Sequence, residues 1–204
     1  MADERPLNRR RFFREGLREL FRPLANALDP VHRVAEELGK LEQPYEPPRP
    51  VRHWLRPPGS LDEQRFREQC SRSGECVQVC PARCIKIDHS GDQGEGVPYI
   101  DPNEMSCVLC TGLYCMHACP SGALQPTLVE YIDMGVAVWH ESLCLRTHGE
   151  NCTICVDQCP VGAKALLLVD GKVEVQQGCT GCGVCQHECP TTPKSITVTP
   201  KSAR

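Results

Sequence analysis

Cysteines near the end of the chain have the spacing of a metal-cluster loop. Residues 179–190 read CTGCGVCQHECP, which is C-x2-C-x2-C-x3-C-P. Thiolates at this spacing hold cubane iron–sulfur clusters, and the fourth cysteine, followed by proline, ligates a different cluster. Gly181 and Gly183 let the backbone approach the inorganic sulfides closely. The run therefore predicts at least one further run of the same kind in the chain.

The sixteen cysteines of the chain fall into four groups of this kind. Group one is Cys70, Cys76, Cys80 and Cys84; group two is Cys107, Cys110, Cys115 and Cys119; group three is Cys144, Cys152, Cys155 and Cys159; group four is Cys179, Cys182, Cys185 and Cys189. The groups begin 37, 37 and 35 residues apart, which indicates one repeated unit. Each contains a Cys-Pro pair, which favours iron–sulfur clusters over a disulfide scaffold or over the paired C-x2-C knuckles of structural zinc.

Crossing of the fourth cysteine predicts how the groups combine. Four groups with crossed fourth ligands give two modules, each with a pair of clusters. The predicted ligand sets are Cys144, Cys152, Cys155 and Cys189; Cys179, Cys182, Cys185 and Cys159; and Cys107, Cys110, Cys115 and Cys80. Groups two and three carry extra residues between ligands, which a loop tolerates when the cluster fixes its ends.

Group one departs from the pattern. Ser73 stands where the second cysteine is expected, and serine is a poor iron ligand beside thiolate. Cys70, Cys76 and, by crossing, Cys119 remain for this cluster. Three outcomes stay open: a 3Fe-4S cluster on three cysteines, a 4Fe-4S cluster completed by Cys84 or Ser73, or no cluster. The expected cofactors are three 4Fe-4S clusters and one further cluster of either type.

Three of these runs resemble a known family. Residues 110–124 (CTGLYCMHACPSGAL), residues 144–155 (CLRTHGENCTIC) and the group four loop are similar to polyferredoxins of the NapG/MauM type, over about residues 66–200. That family serves periplasmic nitrate reduction and methylamine dehydrogenase systems. The resemblance implies electron transfer between a membrane quinol-oxidising partner and a soluble redox enzyme.

Group one also resembles seven-iron ferredoxins, through residues 75–85 (ECVQVCPARCI). In those proteins a cysteine at the position of Cys84 lies beside the cubane without ligating it, and the neighbouring cluster is 3Fe-4S. The resemblance therefore implies that Cys84 is free.

Short apolar stretches follow the Cys-Pro pairs and predict strands. They are Ile85–Ile87, residues 123–124, 165–169 and 196–198, with a further strand within 131–139. Asp170-Gly171 between apolar stretches predicts a hairpin. The predicted fold is α+β, with two tandem bacterial-ferredoxin-like modules at residues 61–126 and 127–204.

The N-terminal part has a different character. Residues 1–42 predict a basic amphipathic helical segment, and residues 43–60 a proline-rich linker that Trp54 and His53 either anchor to the modules or leave as a mobile tether. The helix either packs on its own domain, docks on a membrane surface or partner, or forms a twin-arginine export signal. Charges at residues 15–22 interrupt the apolar region that an export signal needs, so we expect a location in the cytoplasm or on the cytoplasmic face of the membrane. The alternative is export to the periplasm.

Composition and motifs favour an electron carrier over an enzyme. The formal charge of −3 argues against a nucleic-acid binder, and no nucleotide loop or catalytic triad rises above background. His117 and His187 lie in cysteine loops, where thiolates already fill the coordination, so we expect neither to be a ligand. The partners expected are therefore redox proteins, a donor and an acceptor. Two alternatives remain: an accessory or maturation factor for another redox enzyme, and an enzyme with an open iron site near Ser73.

Overall fold

The computed structural model describes residues 54–89 and 96–203. Arg52–Arg204 form one compact unit. The predictions for the N-terminal helical segment, its export or docking role, His53 and most of the proline-rich linker lie outside the described residues. Within the described part of the chain, no helix is long and apolar enough to cross a membrane.

The described regular structure consists of short helices and short strands. The helices are α1 (Glu63–Gln69), α2 (Glu75–Gln78), α3 (Tyr114–His117), α4 (Ile154–Asp157) and α5 (Val184–Glu188), and the strands are β1 (Ile85–Ile87), β2 (Pro98–Ile100), β3 (Gly135–Trp139), β4 (Leu166–Val169), β5 (Lys172–Val175) and β6 (Ile196–Pro200). Turns of 3-10 helix lie at Val129–Tyr131, Glu141–Leu143, Leu145–His148, Gly162–Lys164 and Lys201–Ala203. The expected α+β class with short elements is confirmed.

The first half of the described chain, which runs to Leu124, is built around one hairpin. Strands β1 and β2 pair in antiparallel fashion, with Ile85 opposite Ile100. An isolated bridge joins Ser60 to Leu124, so the two ends of the segment 60–124 lie side by side.

The second half of the described chain, which follows Leu124, repeats this plan. Strands β4 and β5 form an antiparallel hairpin, while β3 and β6 at the two ends of the half pair along their whole length. The hairpin turn has positive φ at both Asp170 (49°) and Gly171 (80°), as the tight turns that match strand twist require. The predicted hairpin and the strand within 131–139 are confirmed.

Residues 54–60 are anchored to the first half. Leu55 is buried and pairs with Ile100, which adds a third chain segment beside the hairpin. The indole Nε1 of Trp54 donates to Asp88 Oδ2 at 3.1 Å, and its ring centroid lies 4.1 Å from that of Tyr99. Of the two interpretations of Trp54, the structure supports the anchor.

Arg56 fixes this segment in place through an ion pair with the half-buried Glu63. Its Nε and Nη2 donate to the two carboxylate oxygens of Glu63 at 2.9 and 2.6 Å, and Nη1 donates to the Pro98 carbonyl at 2.9 Å. Burial would raise the pKa of Glu63, but the hydrogen bonds from Arg56 and Arg67 outweigh it and hold the pKa below its usual value. Removal of Arg56 would leave this half-buried carboxylate with Arg67 as its remaining cationic partner.

The two halves share apolar packing. The larger core contains Phe66, Ile100 and Met116 from the first half, and Met134 and Val184 from the second. Leu166, Val173 and Ile196 form a smaller core in the second half. Because the larger core draws on both halves, they form one packed unit.

The ion pair gives a test of the anchor. Arg56→Ala should destabilise the protein by about 1–3 kcal/mol, because the half-buried Glu63 carboxylate loses its bidentate partner and keeps only Arg67. The measurement is the rate at which circular dichroism is lost in guanidinium chloride. Arg65→Ala is the control, because its pair with Asp62 is exposed and such pairs contribute about 0–1 kcal/mol. Equal unfolding rates for the two variants would contradict the anchoring role.

Candidate metal centres

All sixteen cysteines are free thiols, and the fold gathers them into sets that cross the sequence groups. Site A contains Cys70, Cys76 and Cys119, which line one pocket of about 310 Å³. Burial, and then the thiolates of Cys70 and Cys119, raise the pKa of Cys76 to about 11. Ser73 lies on the exposed edge of the same pocket. Cys119 thus comes to site A from the second group.

Site B contains Cys80, Cys107, Cys110 and Cys115, which line a pocket of about 340 Å³. Burial raises the pKa of Cys115 to about 12, with further contributions from the thiolates of Cys107, Cys80 and Cys110. Cys80 comes from group one, so the first two groups exchange one cysteine each.

Cys84 lies beside site B. It is 2% exposed, lines the site B pocket, and its Sγ lies 3.6 Å from Cys80 Sγ. Hydrogen bonds to Cys107 and Cys80 raise the pKa of Cys84 far above its usual value, and the bond from Cys84 lowers the pKa of Cys80 to about 5. Cys84 therefore shares a hydrogen bond with the Cys80 sulfur of site B. Cys84 and Ser73 are the two residues considered as a further ligand at site A, and of these Ser73 lines the site A pocket.

Site C contains Cys159, Cys179, Cys182 and Cys185, which line a pocket of about 290 Å³. Burial raises the pKa of Cys182 to about 11, and the thiolates of Cys107 and Cys159 add to the shift. The Cys107 contribution comes from site B in the other half of the unit.

Site D contains Cys144, Cys152, Cys155 and Cys189. Burial raises the pKa of Cys155 to about 11, and the thiolates of the other three cysteines contribute to the same shift. Cys189 comes from group four, as Cys159 of site C comes from group three. The second half therefore repeats the exchange seen in the first.

Short helices position one thiol in each site. Cys76, Cys115, Cys155 and Cys185 lie on α2, α3, α4 and α5 respectively. In three of these loops the residue before the helix, Gly74, Leu113 or Gly183, has a left-handed backbone conformation. At Gly183, for example, φ is 89°. This reversal turns the loop so that thiols before the helix and on it line the same pocket.

The pockets fit iron–sulfur clusters. Each of the three pockets is lined by at least three thiols, which are the donors that such clusters use. The Thr180 hydroxyl is buried on the site C wall, where its hydrogen bond to Cys182 opposes the rise in the pKa of that thiol. Within residues 54–89 and 96–203, no three Cys, His, Asp or Glu side chains converge as ligands of a single metal ion.

Hydroxyl groups beside the sulfurs were not identified from the sequence. Thr191 Oγ1 and Ser195 Oγ each lie 3.2 Å from Cys189 Sγ. Burial would raise the pKa of Cys189, but these hydroxyls, Ser195 first, help to lower it to about 7. Ser121 Oγ lies 3.6 Å from Cys119 Sγ in site A. Each hydroxyl closely follows a Cys-Pro pair, which is the signal that a sequence search could use.

The two histidines lie outside the pockets. His187 Nδ1 lies 3.3 Å from the Pro102 carbonyl oxygen, so its ring is directed at the other half rather than at a thiol set. His117 is exposed on α3.

Comparisons with known proteins agree with this geometry. A family profile described as "4Fe-4S dicluster domain" matches residues 69–123. The chain is 39% identical over 161 residues to the methylamine utilization ferredoxin-type protein MauM of Paracoccus denitrificans, covering 72% of this chain and 71% of that protein. It is 35% identical over 202 residues to MauM of Methylophilus methylotrophus, covering 92% and 86%. It is 34% identical over 165 residues to the ferredoxin-type protein NapG of Escherichia coli, covering 72% and 71%.

These findings define an iron–sulfur electron-transfer protein of the ferredoxin type. Within that class, the chain belongs to the MauM/NapG family. The family resemblance stated from the cysteine runs is confirmed.

The crossed sets can be tested with two neighbouring cysteines. Cys119→Ala should remove the same spectroscopic centre as Cys70→Ala, because both thiols line site A. Cys115→Ala, four residues away in the sequence, should instead remove the same centre as Cys80→Ala. The measurement is low-temperature EPR of anaerobic protein with iron analysis, and each variant should lose about three to four irons. Loss of one and the same centre in Cys119→Ala and Cys115→Ala would contradict the crossing.

Proposed function

We propose that this protein relays single electrons through three 4Fe-4S clusters and one further cluster, held in two tandem ferredoxin-like modules at residues 61–126 and 127–204. The observation that carries the proposal is the exchange of one thiol between the paired sites of each half. The proposed ligands are the thiols of sites A to D: Cys70, Cys76 and Cys119; Cys80, Cys107, Cys110 and Cys115; Cys159, Cys179, Cys182 and Cys185; Cys144, Cys152, Cys155 and Cys189. When bound, such clusters take up and release one electron each.

The chain's own residues would tune these centres. Thiolates crowded into one buried pocket repel one another, and iron cations offset that repulsion. The hydroxyl groups of Thr191 and Ser195 each lie 3.2 Å from Cys189 Sγ, and the Ala137 N–H donates to Cys179 Sγ at 3.5 Å. Hydrogen bonds to sulfur stabilise the more negative, reduced state and so raise the reduction potential.

Site A is proposed to hold a 3Fe-4S cluster. Cys70, Cys76 and Cys119 would supply three thiolates, and Ser73, which stands where the sequence pattern expects a further cysteine, lines the same pocket. Cys84 lines the site B pocket, where its Sγ lies 3.6 Å from Cys80 Sγ, and this position supports leaving it out of the proposed site A ligands.

The partners are proposed to be redox proteins, a membrane quinol-oxidising donor and a soluble redox enzyme as acceptor. The family membership supports redox proteins as partners, since the relatives compared are ferredoxin-type proteins. The proposed location is the cytoplasm or the cytoplasmic face of the membrane, and the N-terminal segment would dock the chain on a membrane surface or on a partner. Cell fractionation checks this location, and recovery of the chain from the periplasm would overturn it.

The cluster load tests the function. Anaerobically purified protein should contain about 15–16 irons and nearly equal sulfide, and a reductive titration should take up about one electron per cluster. Iron and sulfide analysis with a dithionite titration provides the measurement. Stoichiometric zinc without visible charge-transfer absorption would overturn the proposal.

Ser73 tests the type of the site A cluster. Oxidised wild-type protein should show the near-isotropic EPR signal of a 3Fe-4S centre, and Ser73→Cys should replace it with a 4Fe-4S centre that is silent when oxidised. Cys84→Ala is the control and should keep the wild-type signal, because Cys84 lies at site B. A wild type with no such signal and a full sixteen irons would show that site A holds a 4Fe-4S cluster.

A further inference from the structure

The two halves meet through residues that carry site B and site C thiols. The backbone N–H of Cys107 donates to the carbonyl of Cys182 at 3.1 Å, and both residues are buried. Gln186 Nε2 donates to Asn103 Oδ1 at 2.9 Å beside this bond. The contact therefore joins a cysteine of the first half directly to a cysteine of the second.

The exchange of thiols pairs the sites within each half. Site A and site B exchange Cys119 and Cys80, and site C and site D exchange Cys159 and Cys189. Because site B and site C meet at the Cys107–Cys182 contact, the sites follow the order A, B, C, D, which differs from the order of the sequence groups.

We propose that electrons cross between the two halves from site B to site C at the Cys107–Cys182 contact, and that the packing of Gly183 on Pro102 sets the separation of these two sites. The proposal rests on the proposed relay function. Sites A and D then form the two ends of the relay.

The physical reason is the shortness of the path. Electron transfer between centres weakens steeply with the gap that the electron must cross, and bonded routes are better than routes through space. From Cys107 Sγ the path runs through its own backbone N–H, over one hydrogen bond, and through the Cys182 backbone to Cys182 Sγ. Burial of both residues keeps water out of this path.

Glycine at position 183 permits the close approach. A Cβ there would lie 2.8 Å from Cβ and Cγ of Pro102 and 3.7 Å from Cβ of Ser106. At 2.8 Å something must shift, so an alanine would push the site C loop away from the segment before Cys107. Gly149 is a matched control, because its φ is also 89° and nothing lies within 4 Å of a Cβ added there.

The experiment is EPR of the full-length, cluster-loaded protein in the fully reduced state. Neighbouring paramagnetic clusters split and broaden each other's signals. Gly183→Ala should weaken the splitting that connects site B and site C, while Gly149→Ala, which carries the same backbone strain, should keep the wild-type spectrum. Iron analysis must show an unchanged cluster load in both variants.

Removal of single sites provides an independent test. Cys110→Ala, which removes a site B thiol, should abolish the magnetic coupling of site C to the first half. Cys70→Ala, which removes a site A thiol, should leave that coupling intact. Coupling of site C that survives both Gly183→Ala and Cys110→Ala, or that is lost in Cys70→Ala, would overturn the proposed junction. Absence of cluster signals from wild-type protein would instead overturn the relay function itself.

Discussion

The exchange of cysteines between paired sites is the constraint on which the structure depends. Cys119 must reach Cys70, and Cys80 must reach Cys107, across stretches of chain that pair only briefly as β1 and β2. Such short strands bury little apolar surface, and metal binding contributes folding free energy directly in proteins of this kind. The crossed thiols therefore contribute stability that a larger apolar core supplies in other proteins, because each set connects distant parts of its half.

The same constraint explains why the two halves look alike. In each, a hairpin separates two cysteine loops, and the segments before the first loop and after the second pair with each other. Pairing of the ends brings the last Cys-Pro back beside the first loop. The first half uses a single bridge at Ser60 and Leu124 where the second has the whole β3–β6 pair, and the anchored residues 54–60 add the packing that this bridge lacks.

Much of this could be predicted from spacing, and the reasons for the remainder are physical. The Cys-x2-Cys runs, the Asp170-Gly171 turn and the strand at residues 85–87 carry local signals, because each depends on neighbours in the sequence. The anchoring of Arg56 carries no local signal, since its partner Pro98 lies 42 residues away. The close approach of Cys107 to Cys182 likewise depends on how two finished halves pack, which spacing within one group does not encode.

The position of Cys84 depends both on its local sequence and on the packing of the finished fold. Spacing alone left it available to site A, while the turn after Cys80-Pro81 places it in the site B pocket, 3.6 Å from Cys80. The Cys84 thiol shares a hydrogen bond with Cys80 of site B. The hydroxyl groups of Thr191 and Ser195 each lie 3.2 Å from Cys189 Sγ of site D. Hydrogen bonds to sulfur, together with the three-thiol set of site A, make the four sites chemically unequal, and unequal potentials are what give a series of electron carriers a direction.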